Sequence, residues 1–285
     1  MKRVLLIGGS GQLGTEITKR WRDCEIVAPP HAELDLAASE RVREELDRLH
    51  PDVVVNAAAF HDVDRCEVEP ERAFAINAVA VGEAARLARE REIVFVTIST
   101  DYIFDGAASR PYAESDAPNP LSVYGASKLA GERLVAGLDA RAFVVRTCGL
   151  YGDARESRRP PLIRRVLSHP SGAQPLRVVA DVVASPTFAG DLAVALRRLI
   201  ESDAYGLYHA VNAGPVSWYD FAREAIARAG VAVAVEPIEA AEWKATAVRP
   251  RFSALANEKL GRLGIEMPSW RDGIAAFLGS SRTFN

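Results

Sequence analysis

Tyr124 and Lys128 stand four residues apart in VYGASKLAGE, a spacing that puts both side chains on one face of a helix. A phenol with an ordinary pKa near 10 exchanges its proton poorly at neutral pH, and an ammonium group beside it favours the phenolate and lowers that value. Such a pair can hand a proton to a carbonyl oxygen as hydride arrives at the carbon. Tyr-Lys pairs at this spacing are also common on helix surfaces, so the pair needs company. STDYIFDG, Ser99 to Gly106, supplies it, directly behind the apolar run IVFVTI. The carboxyl end of a central strand is where ligands sit in α/β sheets. Thr100 there either hydrogen-bonds the same carbonyl or simply finishes the strand.

Hydride needs a carrier, and the chain opens with a place for one. GGSGQLG follows MKRVLLI, with Gly8, Gly11 and Gly14 spaced every third residue. A tight strand-to-helix turn without Cβ atoms lets a ligand approach the main chain, and the helix start offers free N–H groups and a positive dipole end to a pyrophosphate. An ordinary turn has the same glycines, but its place at the first strand of an alternating pattern favours a dinucleotide cradle. GxxGxxG, as opposed to GxGxxG, points to the short-chain reductase style of Rossmann fold. The second strand ends in Pro29, Pro30 and His31, with neither the acid nor the arginine that reads the cofactor's 2′ position. Asp35 falls after that proline break and, with Leu36, reads as lining the adenine pocket. With no acid to repel a 2′-phosphate, NADPH is favoured over NADH.

Asn56-Ala57-Ala58-Ala59 follows another strand, where small side chains either let a cofactor lie close or pack against a helix. Asn77 is polar inside an apolar helical pattern and wants a partner. It either braces the site from behind or satisfies a neighbouring backbone group.

The elements that must position these groups alternate. Strands are expected at Val4 to Ile7, Glu25 to Ala28, Val53 to Asn56, Ile93 to Ile98 and Ala142 to Val145, with helical spacing at Arg41 to Leu49 and Ala73 to Glu90. That alternation means an α/β fold, a Rossmann-type doubly wound parallel sheet covered on both faces. After about Tyr151 the composition changes. Arg155 to Pro161 (RESRRPP) reads as a basic loop; strands are expected at Leu176 to Val183 and Tyr208 to Val211, and Ser217 with Asp220 forms a capping box. The expected division is an NAD(P)-binding domain over residues 1–150 and, over 151–285, a smaller α/β domain mainly for substrate, partly interleaved with the first.

At 285 residues, 48% hydrophobic and with a net charge of −3, the chain can bury a large core and carries no electrostatic footprint for nucleic acid. No apolar run approaches the roughly 18 residues of a membrane helix, and the N-terminus begins a strand instead of a leader peptide. A cytoplasmic protein with no membrane partner is expected. Cys24, Cys66 and Cys148 lack metal-type spacing and read as reduced thiols.

With the glycine turn, NAAA, STDYIFDG and YGASKLAGE in this order, the sequence resembles the dTDP-4-dehydrorhamnose reductase family of extended short-chain dehydrogenase/reductases. The likeness extends through NAAAFHDVDRCEVEPERAFAINA, DVVASPT, GLYHAVNAG and RPRFSAL, nearly the whole chain. The resemblance implies reduction of the C4 ketone of dTDP-6-deoxy-L-lyxo-4-hexulose to dTDP-L-rhamnose with reduced nicotinamide cofactor. It implies Tyr124 as proton donor, Lys128 as its partner and ribose holder, and Thr100 as the hydroxyl orienting the carbonyl. Gly11, Gln12 and Leu13 would contact the pyrophosphate, Asp35 and Leu36 the adenine end, and Ala59 with Phe60 the cofactor's middle. Thr100 and Asp101 would face the sugar, and Arg249 either meets a substrate phosphate or forms an ion pair. Some members are homodimers with magnesium between subunits; those ligands do not map onto this chain, so no metal residue is assigned. Where well-known members carry tryptophan after RTS, this chain has Gly149, in RTCGLYG. Losing an aromatic platform removes about 1 kcal/mol of contact or reshapes the pocket for another sugar. Trp218, Trp243 and Tyr151 are candidates to fill the space. Two other readings keep the architecture: a reductase or epimerase of another dTDP- or GDP-deoxysugar, and a non-catalytic NADP-binding subunit like the β subunit of methionine adenosyltransferase.

Overall fold

RVLLI at Arg3–Ile7 forms β1, with Val4 to Ile7 all buried, the unbroken apolar pattern of a strand covered on both faces. In the computed structural model, which describes residues 1–153, 161–170 and 172–281, four further strands join it in parallel: β2 (Glu25–Val27), β3 (Val53–Asn56), β4 (Val94–Thr100) and β5 (Ala142–Thr147). Then come β6 (Leu176–Val179), β7 (Val183–Ala184) and β8 (Gly206–His209); β8 returns to the large sheet, giving the order β2-β1-β3-β4-β5-β8. The direction of winding reverses between β1 and β3, which opens a crevice at their carboxyl ends. β9 (Val216–Ser217) pairs antiparallel with β7, and β10 (Val235–Ile238) pairs parallel with β6.

Two apolar layers flank the sheet. On one side, α1 (Gln12–Arg20) and a later helix, Ala189–Leu199, bury Leu13, Ile17, Leu192 and Leu196 against β1 and β3. The Trp21 indole N–H donates to the Ala193 carbonyl at 2.8 Å and pins the two together. Truncating Ile17, which is fully buried there, would cost about 2–5 kcal/mol. On the other side lie α2 (Ser39–Leu49), α3 (Val63–Val68), α4 (Pro70–Phe74), α5 (Val81–Arg89) and α6 (Val123–Ala136), of which α2, α5 and α6 supply Val42, Leu46, Ala85, Leu87 and Val135 to the second layer. The remaining helices are α7 (Leu162–Leu167), α8 (Ala189–Leu199), α9 (Trp218–Ala229), α10 (Glu258–Arg262) and α11 (Trp270–Ser281). α7, α9 and α11 close over an aromatic cluster that includes Tyr151, Phe188, Phe221 and Phe277.

The structure departs from the expected elements in three places. The helix expected over Ala73 to Glu90 is α4, a π-helical stretch Ala75–Ala80, and α5. There the Asn77 side chain donates to the Phe60 carbonyl and to Ser127 Oγ and accepts from the Phe60 N–H, while its backbone carbonyl lies against Gly131 of α6. The strand expected over Leu176 to Val183 breaks at residues 180–182, where Asp181 accepts the Ala240 N–H and the chain changes partner from β10 to β9. β8 begins and ends earlier than Tyr208 to Val211, because the Asn257 side chain takes both hydrogen bonds of the Val211 backbone. Of the basic loop, residues 155–160 lie outside the described residues, and Pro161 caps α7. Ser217 caps α9 as expected: its Oγ accepts the Asp220 N–H and donates to the Asp220 carboxylate.

Candidate active site

The glycine turn leaves backbone bare at the crevice. Gly8 has φ +88°, and a Cβ there would stand 2.8 Å from the Ala58 nitrogen. A Cβ on Gly14 would strike the Gly8 carbonyl, so that glycine lets α1 pack onto the turn. Gly11 is the N-cap of α1 with no side-chain cap, and the first turn of α1 carries no acid. The positive end of α1 therefore faces a cavity of about 340 Å³ with its N–H groups free for an anion. Gln12 lines the same cavity, and its buried Oε1 has no hydrogen-bond partner among the described residues. Bare backbone, an uncompensated dipole and an unpartnered amide oxygen fit a dinucleotide pyrophosphate.

Across that cavity stand Thr100, at the end of β4, and Tyr124 and Lys128, on the first turns of α6. Ser122 caps α6 by accepting the Gly125 N–H, and Gly125 lets the helix lie against the Tyr102 carbonyl. Burial pushes the Tyr124 phenol above its ordinary pKa, with the Thr100 hydroxyl acting in the opposite sense. Lys128 is 4% exposed, donates to the Ile98 carbonyl at 2.6 Å, and is brought down to about 8 by burial, with Glu132 opposing. The expected lowering of the phenol pKa by the ammonium is thus corrected: burial raises it, and the lysine's hydrogen bond goes to the Ile98 carbonyl near the strand end.

Asp101 is 3% exposed and accepts from Thr100 Oγ1 at 3.1 Å and from Cys148 Sγ at 3.0 Å. Burial raises its pKa, and that of Cys148 well above the usual thiol range. Behind Lys128, Glu132 takes a forked hydrogen bond from Arg146 and another from Ser99, a buried ion pair joining α6 to the ends of β4 and β5.

A second cavity of about 580 Å³ adjoins the first, sharing Tyr102, Gly149, Leu150, Val182 and Trp218 as its wall. Arg165, Arg177, Arg249 and Arg251 are among the residues that line it. Arg249 pairs with Asp64 through 2.9 and 3.2 Å contacts, and its guanidinium holds the Asp64 carboxyl down to about 2. Of the two roles open for Arg249, the ion pair is therefore present, on a residue that also faces the cavity.

Gly11, Gln12, Leu13, Ala58, Ala59, Thr100, Asp101, Tyr124, Lys128 and Gly149 line the inner cavity. Gly8 and Gly14 do not line it; Gly8 lets the turn pass close to the Ala57–Ala58 backbone, and Gly14 lets α1 pack on the turn. Asn56 is buried, its side-chain Oδ1 accepting the Ala58 N–H, so it shapes the alanine loop without lining the cavity. Phe60 packs on Cys66 and Ala73 beneath the Arg65 and Arg72 guanidiniums and does not line the cavity. Leu36 is buried in the α2 layer, and Asp35 accepts the Ala37 N–H in its own turn; neither lines the cavity. Asn77 braces the Phe60 backbone, uniting the two roles left open for it. Sequence reasoning gave no role to Tyr102, His61, Val182 and Ser253, although all four lie within quoted motifs, STDYIFDG, NAAAFHDVDRCEVEPERAFAINA, DVVASPT and RPRFSAL; only the fold brings these segments to one cavity. Among the described residues no three His, Cys, Asp or Glu side chains cluster as metal ligands. No helix among them is long and apolar enough to cross a membrane.

Residues 1–283 match the family model of the RmlD substrate binding domain. The chain is 34% identical to a dTDP-4-dehydrorhamnose reductase of Aggregatibacter actinomycetemcomitans over 290 residues, covering 96% of this chain and 97% of that one. It is 33% identical to the spore coat polysaccharide biosynthesis protein SpsK of Bacillus subtilis over 280 residues, covering 98% and 97%. The crystal structure of dTDP-4-dehydrorhamnose reductase from Bacillus anthracis in complex with NADP superposes with a TM-score of 0.92 at 33% identity, covering 98% of this chain and 99% of that one.

Proposed function

Since the chain belongs to the RmlD substrate binding domain family, that of the dTDP-4-dehydrorhamnose reductases, we propose that it reduces the C4 ketone of dTDP-4-dehydro-L-rhamnose to give dTDP-L-rhamnose. The observation that carries this reading is the single cavity in which Thr100, Tyr124 and Lys128 face the free N-terminus of α1, beside a second cavity lined with guanidiniums. A nicotinamide cofactor, when bound, supplies the hydride. Gly11, Gln12 and Leu13 hold its pyrophosphate. Tyr124 gives its proton to the carbonyl oxygen, and the high phenol pKa keeps that proton in place until an alkoxide forms. Thr100 orients the carbonyl, and Lys128 holds the ribose side. Residues 1–150 serve the cofactor and 151–285 mainly the substrate, with α8 and β8 given back to the first sheet. The end of β2 offers no acid against a 2′-phosphate, which supports NADPH.

Gly149 favours a second reading, reduction of another dTDP-4-keto-6-deoxy sugar. Both are tested by following oxidation of NADPH and of NADH with dTDP-4-dehydro-L-rhamnose generated in place by the enzymes that make it. Rapid oxidation of NADPH is expected. No oxidation of either cofactor, with cofactor binding shown separately, would overturn the rhamnose reading and turn the assay to other 4-keto sugars.

A further inference from the structure

We propose that Trp218 seats the sugar ring of the substrate, and that residue 149 is glycine because the Trp218 indole lies where its side chain would be. The inference rests on the nucleotide-sugar reading above and adds the residue that recognises the sugar half. Trp218 is the first residue of α9, fixed from behind by the Ser217 cap and by its own N–H, which donates to the Val182 carbonyl at 3.2 Å. Its ring is half-buried and stands edge-on to Phe221, with centroids 6.0 Å apart at 84°. A Cβ on Gly149 would stand 2.5 Å from Trp218 Cη2, 3.2 Å from Cζ2 and 3.3 Å from the Pro186 Cα, and Gly149 has φ +50°. The far edge of the indole therefore rests on bare backbone, and any side chain at residue 149 displaces it.

That contact lies in the wall between the two cavities, both of which Trp218 and Gly149 line. On the inner side are Thr100 and Tyr124, and on the outer side the guanidiniums of Arg165, Arg177, Arg249 and Arg251. A sugar joined to a nucleoside diphosphate, with its C4 at Tyr124 and its phosphates toward the arginines, lays its ring at this wall. An indole offers a broad apolar face to the C–H groups of a hexose ring at little cost in side-chain entropy. The other two aromatic candidates do not reach: Tyr151 is 2% exposed inside the Phe188, Phe221 and Phe277 cluster, and Trp243 is 43% exposed and borders the outer cavity alone.

The test compares calorimetric titrations of dTDP and dTDP-L-rhamnose, which share base and phosphates and differ by the sugar. The proteins are the wild type, Trp218→Ala and Trp218→Leu, the leucine keeping the site filled and the fold intact. The wild type is expected to bind dTDP-L-rhamnose at least fivefold more tightly than dTDP. In the variants that advantage falls below twofold, while affinities for dTDP and NADPH stay within threefold. Variants that bind NADPH normally and keep the wild-type ratio overturn the proposal, as does a wild type that shows no sugar advantage. Gly149→Ala should erase the advantage in the wild-type background and change nothing further in Trp218→Ala; an equal loss in both backgrounds overturns the role given to Gly149. A wild type that shows the sugar advantage yet oxidises no cofactor leaves this inference standing and defeats the ketoreductase reading instead.

Discussion

Lys128 donates its ammonium to the carbonyl oxygen of Ile98 at 2.6 Å, two residues before the strand end that carries Thr100. Burial lowers its pKa from 10.5 to about 8, against the opposing charge of Glu132. The unfolded chain thus holds more protons on this group than the folded one between those two values, so its contribution to stability rises with pH across that window. Lys128→Met is expected to flatten the pH dependence of stability there, by up to about 3 kcal/mol, in denaturant titrations at pH 7, 9 and 10.5. An unchanged slope would contradict the burial argument. Activity should show the same titration as an alkaline limb near pH 8, since the Tyr124 phenol stays protonated there.

Tyr124→Phe removes the donated proton and leaves the ring edge that meets Tyr102 at 5.9 Å. The rate of ketone reduction is expected to fall by about 10²–10⁴-fold, with NADPH affinity retained. A variant keeping more than a tenth of the rate would place the proton donor elsewhere.

Asp64 anchors the segment that carries Arg249, accepting the Thr246 and Ala247 N–H groups as well as the guanidinium. Its pKa is lowered from 3.8 to about 2, so the pairing contributes fully above the ordinary value and is lost as pH falls through the lower one. Because both partners are partly exposed, Asp64→Asn should cost about 1–2 kcal/mol at neutral pH, less as pH is taken toward 3. The KM for nucleotide sugar should rise more than kcat falls. A cost that does not change with pH would show that the charge is irrelevant.

Much of the fold was legible where its signals are local. The apolar run before the glycines, the Tyr124–Lys128 spacing and the Ser217 cap each depend on a few adjacent residues, and β1, α6 and the start of α9 formed where those signals stand. What was not legible depends on distant partners. Phe60 packs in the Cys66 and Ala73 cluster and does not line the cavity, and Asn77, seventeen residues on, holds both of its backbone groups. The 180–182 break depends on Ala240, and the end of β8 on Asn257. The phenol pKa was misjudged for a related reason: four-residue spacing brings two side chains to one face of a helix but does not show how deeply each is desolvated or which carbonyl takes the ammonium.

The central claim is that hydride arrives at the C4 ketone held between Thr100 and Tyr124. Turnover with NADPH deuterated at the transferring position, followed by mass and NMR analysis of the product sugar, tests it directly. The account predicts one deuterium, at C4 of dTDP-L-rhamnose, and its loss in Tyr124→Phe. Oxidised cofactor with no label in the sugar, or label at another carbon, would contradict it.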